Sequence, residues 1–314
     1  MTKYINISIF FSLIIFTSLD AQNGTIVARQ PLDIFANEDL ADRISEVKNG
    51  KRQLKEAYLY LKEVTIETIT YLSDGLKVKG YMAKPKVGNQ LPCVIYNRGG
   101  NKEFGKLNEY KAVFILARMA NWGYVVVASQ YRGNDGGEGK EEFGGNDVND
   151  ILNLVPTLAQ EEQSDTSKIA LYGWSRGGMM TYLALTKSCQ FKAAIVGGGL
   201  SDLWAFMRTR QDTIETVFAE NIPDYAMNTK AALDSRSAIR RVGDMCKTTP
   251  ILMLHGTADW RVVPEMALDL SKAFIRADIP HRLVMFEGGD HGLSEHRKEV
   301  NRMAKFWLDR YLKD

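Results

Sequence analysis

The chain has 314 residues, 45% hydrophobic, 25% charged and with only 8 prolines, the make-up of a folded globular protein of one large domain or two small ones. Forty Lys and Arg against 38 Asp and Glu leave a net charge of +2, so no excess of either sign points to nucleic acid or an anionic membrane as partner. Function has to be argued from a site.

At the N-terminus Lys3 precedes an apolar run from Ile5 to Leu19, and the small residues of "SLDAQ" follow. This pattern predicts a secretory signal peptide over residues 1–21, cleaved after Ala21, and so a secreted or periplasmic protein. A run of 15 residues that includes Asn6, Ser8, Ser12, Thr17 and Ser18 falls short of the roughly 20 apolar residues that span a bilayer. No stable membrane insertion is expected after cleavage. Residues 22–63 read as an N-terminal helical extension, because Glu38 to Leu61 alternates apolar and charged residues at helical spacing. "EVTIETITYLSDGLKVKGYMAKP" then predicts two strands around Ser73-Asp74-Gly75.

Beyond this hairpin the rhythm changes to short apolar runs: "PCVIYN", "YVVVASQ", "KIALYGW", "KAAIVGG", "PILMLHG" and "RLVMFEG". Between or after them lie helical stretches, Lys106 to Ala120, Asn146 to Ala159, Arg176 to Thr186, Pro264 to Ala277 and Ser294 to Leu312. Strands without polar alternation are buried on both faces, and their alternation with helices predicts an α/β domain over residues 64–314 with a mostly parallel sheet flanked by helices. The long, mostly helical segment 201–245 is expected to form a cap insertion over the site. Three cysteines leave at least one thiol free. Cys93, inside an apolar strand, reads as a buried hydrophobe, while a Cys189–Cys246 bridge is neither required nor excluded by the sequence.

"LYGWSRGG" places Gly173-x-Ser175-x-Gly177 where a strand run meets a helix. A tight elbow there would hold Ser175 strained and exposed above the sheet, with glycines removing side chains that would clash. A serine needs a base, and all four histidines follow it. His281 begins a strand, His296 falls in a helix, and His255 precedes every well-placed acid. His291, in "EGGDHG" after the last strand, is the candidate base. Asp259 in "HGTADWRV" is the candidate acid that orients it; Asp290, next to the histidine in sequence and poorly placed to reach its ring, and Glu287 are alternatives. Ser175, Asp259 and His291 then each follow a strand in the chain order of an α/β-hydrolase. The oxyanion donors are expected to be the backbone N–H of Arg176 and that of Arg98 or Gly99 in "YNRGGNKEFG". Trp174, Trp204 and Phe206 are candidate walls of an apolar substrate pocket under the cap, although core packing accounts for each equally well.

With those residues placed, the chain resembles the catalytic domain of the prolyl oligopeptidase family of serine peptidases, within the α/β-hydrolase fold. The likeness covers about Leu91 to Leu312 and rests on "GWSRGG", "SQYRGNDGGEGKEEFG", "PILMLHGTADWRVVP" and "GGDHGL". It maps Ser175, Asp259 and His291 onto the family triad. Two departures stand out. About 70 residues between the signal and the sheet cannot hold a β-propeller whose blades take about 40–50 residues each, so the propeller is expected to be lacking. At the oxyanion loop Arg98-Gly99-Gly100 stands where the family often has His-Gly-Gly or a donor tyrosine. The resemblance implies a serine-type peptidase acting on short peptides through an acyl-enzyme. A carboxylesterase acting on acetyl or cinnamoyl esters is the alternative, and a non-catalytic binding module on a hydrolase scaffold a third reading. The partner is expected to be a small molecule or short peptide. No cofactor is implied, and four histidines without an H-x₃-H pair imply no metal.

Overall fold

The structure is a computed structural model that describes residues 22–313, with the side chains of 211–213 left aside. The expected signal segment, 1–21, therefore lies outside the described residues. In chain order the first elements are strand β1 (Ile26–Pro31), helix α1 (Glu38–Ile44) and strands β2 (Ser45–Lys48) and β3 (Lys51–Leu54). A 3₁₀ segment, Glu56–Lys62, leads to β4 (Val64–Ser73), β5 (Leu76–Pro85) and β6 (Leu91–Asn97). Next come α2 (Glu109–Lys111), a π turn over Ala112–Leu116, α3 (Ala117–Asn121), β7 (Val125–Ser129), α4 (Asn149–Leu152) and α5 (Leu154–Leu158). Then follow β8 (Ser164–Trp174), α6 (Arg176–Leu185), β9 (Ala193–Gly197), α7 (Leu203–Asn221) and α8 (Tyr225–Arg236). The chain closes with β10 (Ile251–Gly256), α9 (Pro264–Arg276), β11 (His281–Phe286) and α10 (Arg297–Leu312).

The extension over 22–63 is not the helix its periodicity suggested. Only α1 is α-helical, started by Asn37, whose side chain accepts the N–H of Leu40. The pattern breaks at Asn49-Gly50, where both residues take positive φ, 52° and 72°. That turn matches strand twist and closes the β2–β3 hairpin. Further upstream, β1 adds itself antiparallel to β4 at the sheet edge. Asp74 and Gly75, also at positive φ, turn β4 into β5 as the sequence predicted.

Nine strands make one sheet in the order β1-β4-β5-β7-β6-β8-β9-β10-β11. From β7 to β11 every pairing is parallel. Val125, Val126 and Val127 are fully buried, as apolar strands covered on both faces require. One face packs on α4 to α9 through residues such as Ile151, Met179, Leu203 and Phe274. The other packs on α1, the 109–121 helix and α10 through Leu40, Leu116 and Leu308. The order in which successive strands are added reverses at β6, since β7 lies on one side of it and β8 on the other. A crevice opens beyond the C-terminal ends of strands at such a switch point, and α/β sheets bind ligands there.

Candidate active site

The loop after β6 and the elbow after β8 flank that crevice. Ser175 has φ 59° and ψ −124°, a conformation that costs a residue with a Cβ of order 1–3 kcal/mol. The surroundings impose it. The Ser175 N–H donates to Gly197 O at 2.8 Å, and Ser175 O accepts from the N–H of Gly178 at 2.9 Å. A Cβ on Gly177 would meet Asn97 O at 1.9 Å, and one on Gly173 would meet Gly177 O at 2.1 Å. Only glycines let the elbow close on the neighbouring strand ends.

His291 Nε2 lies 3.0 Å from Ser175 Oγ, and His291 Nδ1 lies 2.8 Å from Asp259 Oδ2. The three side chains therefore form one continuous line. Trp174 Nε1 donates to His291 O at 2.9 Å and anchors the loop that carries the imidazole. Asp259 is 2% exposed, and its Oδ1 accepts the N–H groups of Arg261 and Val262, both at 2.9 Å. Burial alone would raise its carboxyl; the hydrogen bond and charge of His291 and the Val262 N–H outweigh that and hold it below the ordinary 3.8. Asp290 turns away, its Oδ1 accepting from the N–H groups of Gly292 and Ser294.

Gly99 lies against the serine: a Cβ there would be 3.1 Å from Ser175 Cβ and 2.9 Å from Trp174 O. Among the described residues, no backbone carbonyl outside the regular elements takes up the N–H of Gly99 or of Arg176. The Arg98 side chain is buried, donating Nε to Gln130 O at 3.0 Å and Nη2 to Lys102 O at 3.2 Å, while Arg98 O accepts from the Tyr131 hydroxyl. Its role is to hold the loop. Arg176 is buried likewise, paired with Glu141 at 2.9 Å and Asp147 at 2.7 Å, with its guanidinium over Phe143. Glu141 and Asp147 belong to "SQYRGNDGGEGKEEFGGND", whose part in the site the sequence alone did not reveal.

A cleft of about 540 Å³ opens beside Ser175 and His291. Its floor is Tyr96, Tyr172 and Trp174, and a wall is Phe114 and Met119 from the 109–121 helix with Trp122 at its C-cap. Tyr96 and Tyr172 are in-register neighbours on β6 and β8, stacked edge to face at 5.8 Å. Two of the expected pocket residues lie elsewhere. Trp204 donates Nε1 to Asp234 at 2.8 Å and packs on the core, and Phe206 is buried in that same core. The 201–245 segment is helical as expected, but it covers the α6 face and meets the site only at its rim. There Lys102 pairs with Glu220, and Arg210 stacks on Trp260. Of the three candidates Trp174 lines the cleft; Tyr96 and Tyr172 went unread because their signal, aromatics at strand ends just before the elbow and oxyanion loop, is the same as that of core. Behind the acid, His255 Nε2 bonds Val262 O at 2.8 Å, with burial lowering its pKa. No group of three His, Cys, Asp or Glu suited to a metal occurs among the described residues.

A strand-to-helix elbow serine at the switch point of a mostly parallel sheet defines the class: a serine hydrolase of the α/β-hydrolase fold. A family model described as the prolyl oligopeptidase family matches residues 110–314. The uncharacterized peptidase YtmA of Bacillus subtilis is 33% identical over 200 residues, 63% of this chain and 75% of that protein. Dipeptidyl-peptidase 5 of Porphyromonas gingivalis is 25% identical over 290 residues, 88% of this chain and 40% of that one. The chain belongs to the prolyl oligopeptidase family. Solved structures share its fold. An acylaminoacyl peptidase of Pyrococcus horikoshii superposes with a TM-score of 0.69 at 24% identity, over 85% of this chain and 46% of that one. An acetyl xylan esterase from Paenibacillus sp. R4 gives 0.61 at 19% identity, over 83% and 88%. The chain thus spans less than half the length of the dipeptidyl peptidase and of the acylaminoacyl peptidase.

Proposed function

We propose that the protein is an exported serine peptidase that cleaves short peptides, with Ser175 as nucleophile, His291 as base and Asp259 as the group that orients it. The observation that carries this reading is the unbroken line from Ser175 Oγ through His291 to Asp259, at 3.0 and 2.8 Å, on a strained elbow beside an open cleft. As Ser175 Oγ bonds to the carbonyl carbon, its proton passes to His291 Nε2. Asp259 accepts from Nδ1–H and stabilises the imidazolium. The N–H groups of Gly99 and Arg176 receive the developing oxyanion. Collapse breaks the C–N bond, with the proton returned from His291 to the leaving amine. Water, activated in the same way, then hydrolyses the acyl-enzyme.

Export rests on the apolar segment at residues 5–19 and on the disulfide between Cys189 and Cys246, a bond kept in oxidising compartments. The peptidase names of the relatives support amide cleavage. Short-peptide anilides and acyl esters assayed side by side test it: cleavage of anilides that disappears in Ser175→Ala is expected. Hydrolysis confined to esters would assign the carboxylesterase reading instead.

A further inference from the structure

Five cations line the cleft, Arg43, Lys111, Arg118, Arg261 and Arg297, and no Asp or Glu does. None of the five makes an ion pair among the described residues, although 16 other Lys and Arg side chains do. In a chain of net charge +2 this is a local imbalance. The carboxylates next in sequence to lining residues are already engaged, Asp42 with Arg52, Glu103 with Lys106, Glu109 with Asn37 and Asp290 with its own loop.

The five are held by groups that leave their charge unmatched, Arg118 by the side chain of Tyr60. Lys111 Nζ donates to the carbonyls of Gly105 and Lys106. Arg297 Nη2 reaches Gly292 O at 3.2 Å, in the loop that carries His291. Arg43 stands 6.0 Å from the Tyr110 ring centre and Arg261 5.3 Å from that of Trp260. Carbonyls and aromatic faces position a cation without neutralising it. Burial, with the charge of Arg98 nearby, pushes the Lys111 ammonium down to about 8, as a half-buried cation without a counter-ion requires. Apart from Asn301 and the His291 imidazole, the remaining lining side chains are apolar or hydroxylic, so these five groups are the Lys and Arg partners an anionic guest meets.

Resting on the peptidase reading, we infer that the cleft selects substrates carrying a carboxylate on the segment seated beside Ser175, supplied by an acidic side chain or by a free C-terminus. Field lines from one sign of charge concentrate in a low-dielectric cleft and favour both capture and retention of the opposite sign. Its volume of about 540 Å³ is that of a pocket for a small ligand or a few residues of peptide.

Matched short peptides test this: Glu against Gln at each position with the C-terminus amidated, and free against amidated C-termini with neutral side chains. In at least one arm the anionic member is expected to show a roughly ten- to hundredfold higher kcat/KM, the range for one charge-assisted hydrogen bond. That ratio should shrink as salt rises and collapse towards one in Lys111→Met/Arg118→Met. Equal kcat/KM for the anionic and neutral members in both arms would overturn the inference, as would a ratio untouched by salt and by the double variant. A fluorophosphonate probe run in parallel separates the two levels: labelling of Ser175 with no anionic preference overturns only the selectivity, whereas absence of labelling and of all cleavage overturns the peptidase reading beneath it.

Discussion

Ser175 pays for its exposure in backbone strain, which makes stability and activity separable at one residue. Ser175→Gly relieves a positive φ that Ser175→Ala keeps, so the glycine variant should unfold with a free energy about 1 kcal/mol above the alanine variant in urea. Both should lose activity by roughly 10⁴-fold or more. His255, behind the acid, offers a second separation. Its pKa is lowered from 6.5 by burial, so the folded state binds fewer protons there than the unfolded chain. Its contribution is present above about pH 6.5 and is lost as pH falls from there towards the lowered pKa. Chemical denaturation across pH 5 to 7 should show stability falling towards acid, and a His255→Gln variant should show a flatter slope. At this scale the sequence was informative where chemistry restricts the choice: one serine between glycines, and one histidine and one acid in loops after later strands. It was silent on Glu141 and Asp147, because charges that hold a buried Arg176 look like surface charges until the loop folds back.

Among the elements, strands and their flanking helices were legible from apolar runs, whereas two segments were not. The Asn49-Gly50 turn overrode a helical charge pattern with two positive-φ residues, a signal present in the sequence but outweighed by the period of its neighbours. The 201–245 helices were read correctly as helices and wrongly as the pocket roof, since the period shows that a face is buried and not against what. Two substitutions check this placement. Trp204→Ala should lower stability through its lost core contacts and Asp234 hydrogen bond while leaving substrate preference unchanged. Trp122→Ala, in the cleft wall, should alter KM. The disulfide between Cys189 and Cys246 spans 57 residues that contain β9, α7 and α8. Replacing both cysteines by serine should cost about 2–4 kcal/mol in urea unfolding, the loss expected when a loop of this size is freed in the unfolded chain. A change near zero would show the loop to be restrained without it.

For the molecule as a whole, sheet order makes the site. β6 and β8 lie side by side at the reversal of strand order, so the loop with Gly99 and the elbow with Ser175 meet although 76 positions separate them in the chain. The two loops after β10 and β11 then deliver Asp259 and His291 to the same end. Helices 109–121 and α10, rather than the 201–245 segment, shape the cleft, and through it the charge that a substrate meets. Fold and nucleophile could be argued from sequence because elbow, acid and base recur in a fixed order along the chain. Cleft and charge could not, because they arise from helices brought together on one face of the sheet by packing alone. The central claim is that Ser175 is the activated nucleophile of this assembly. Treatment of the purified protein with a fluorophosphonate, followed by peptide mass spectrometry, tests it most directly. The account predicts a single phosphonylated residue, Ser175, with labelling abolished in Ser175→Ala and strongly slowed in His291→Ala; an unlabelled protein, or equal labelling of Ser175→Ala, would contradict it.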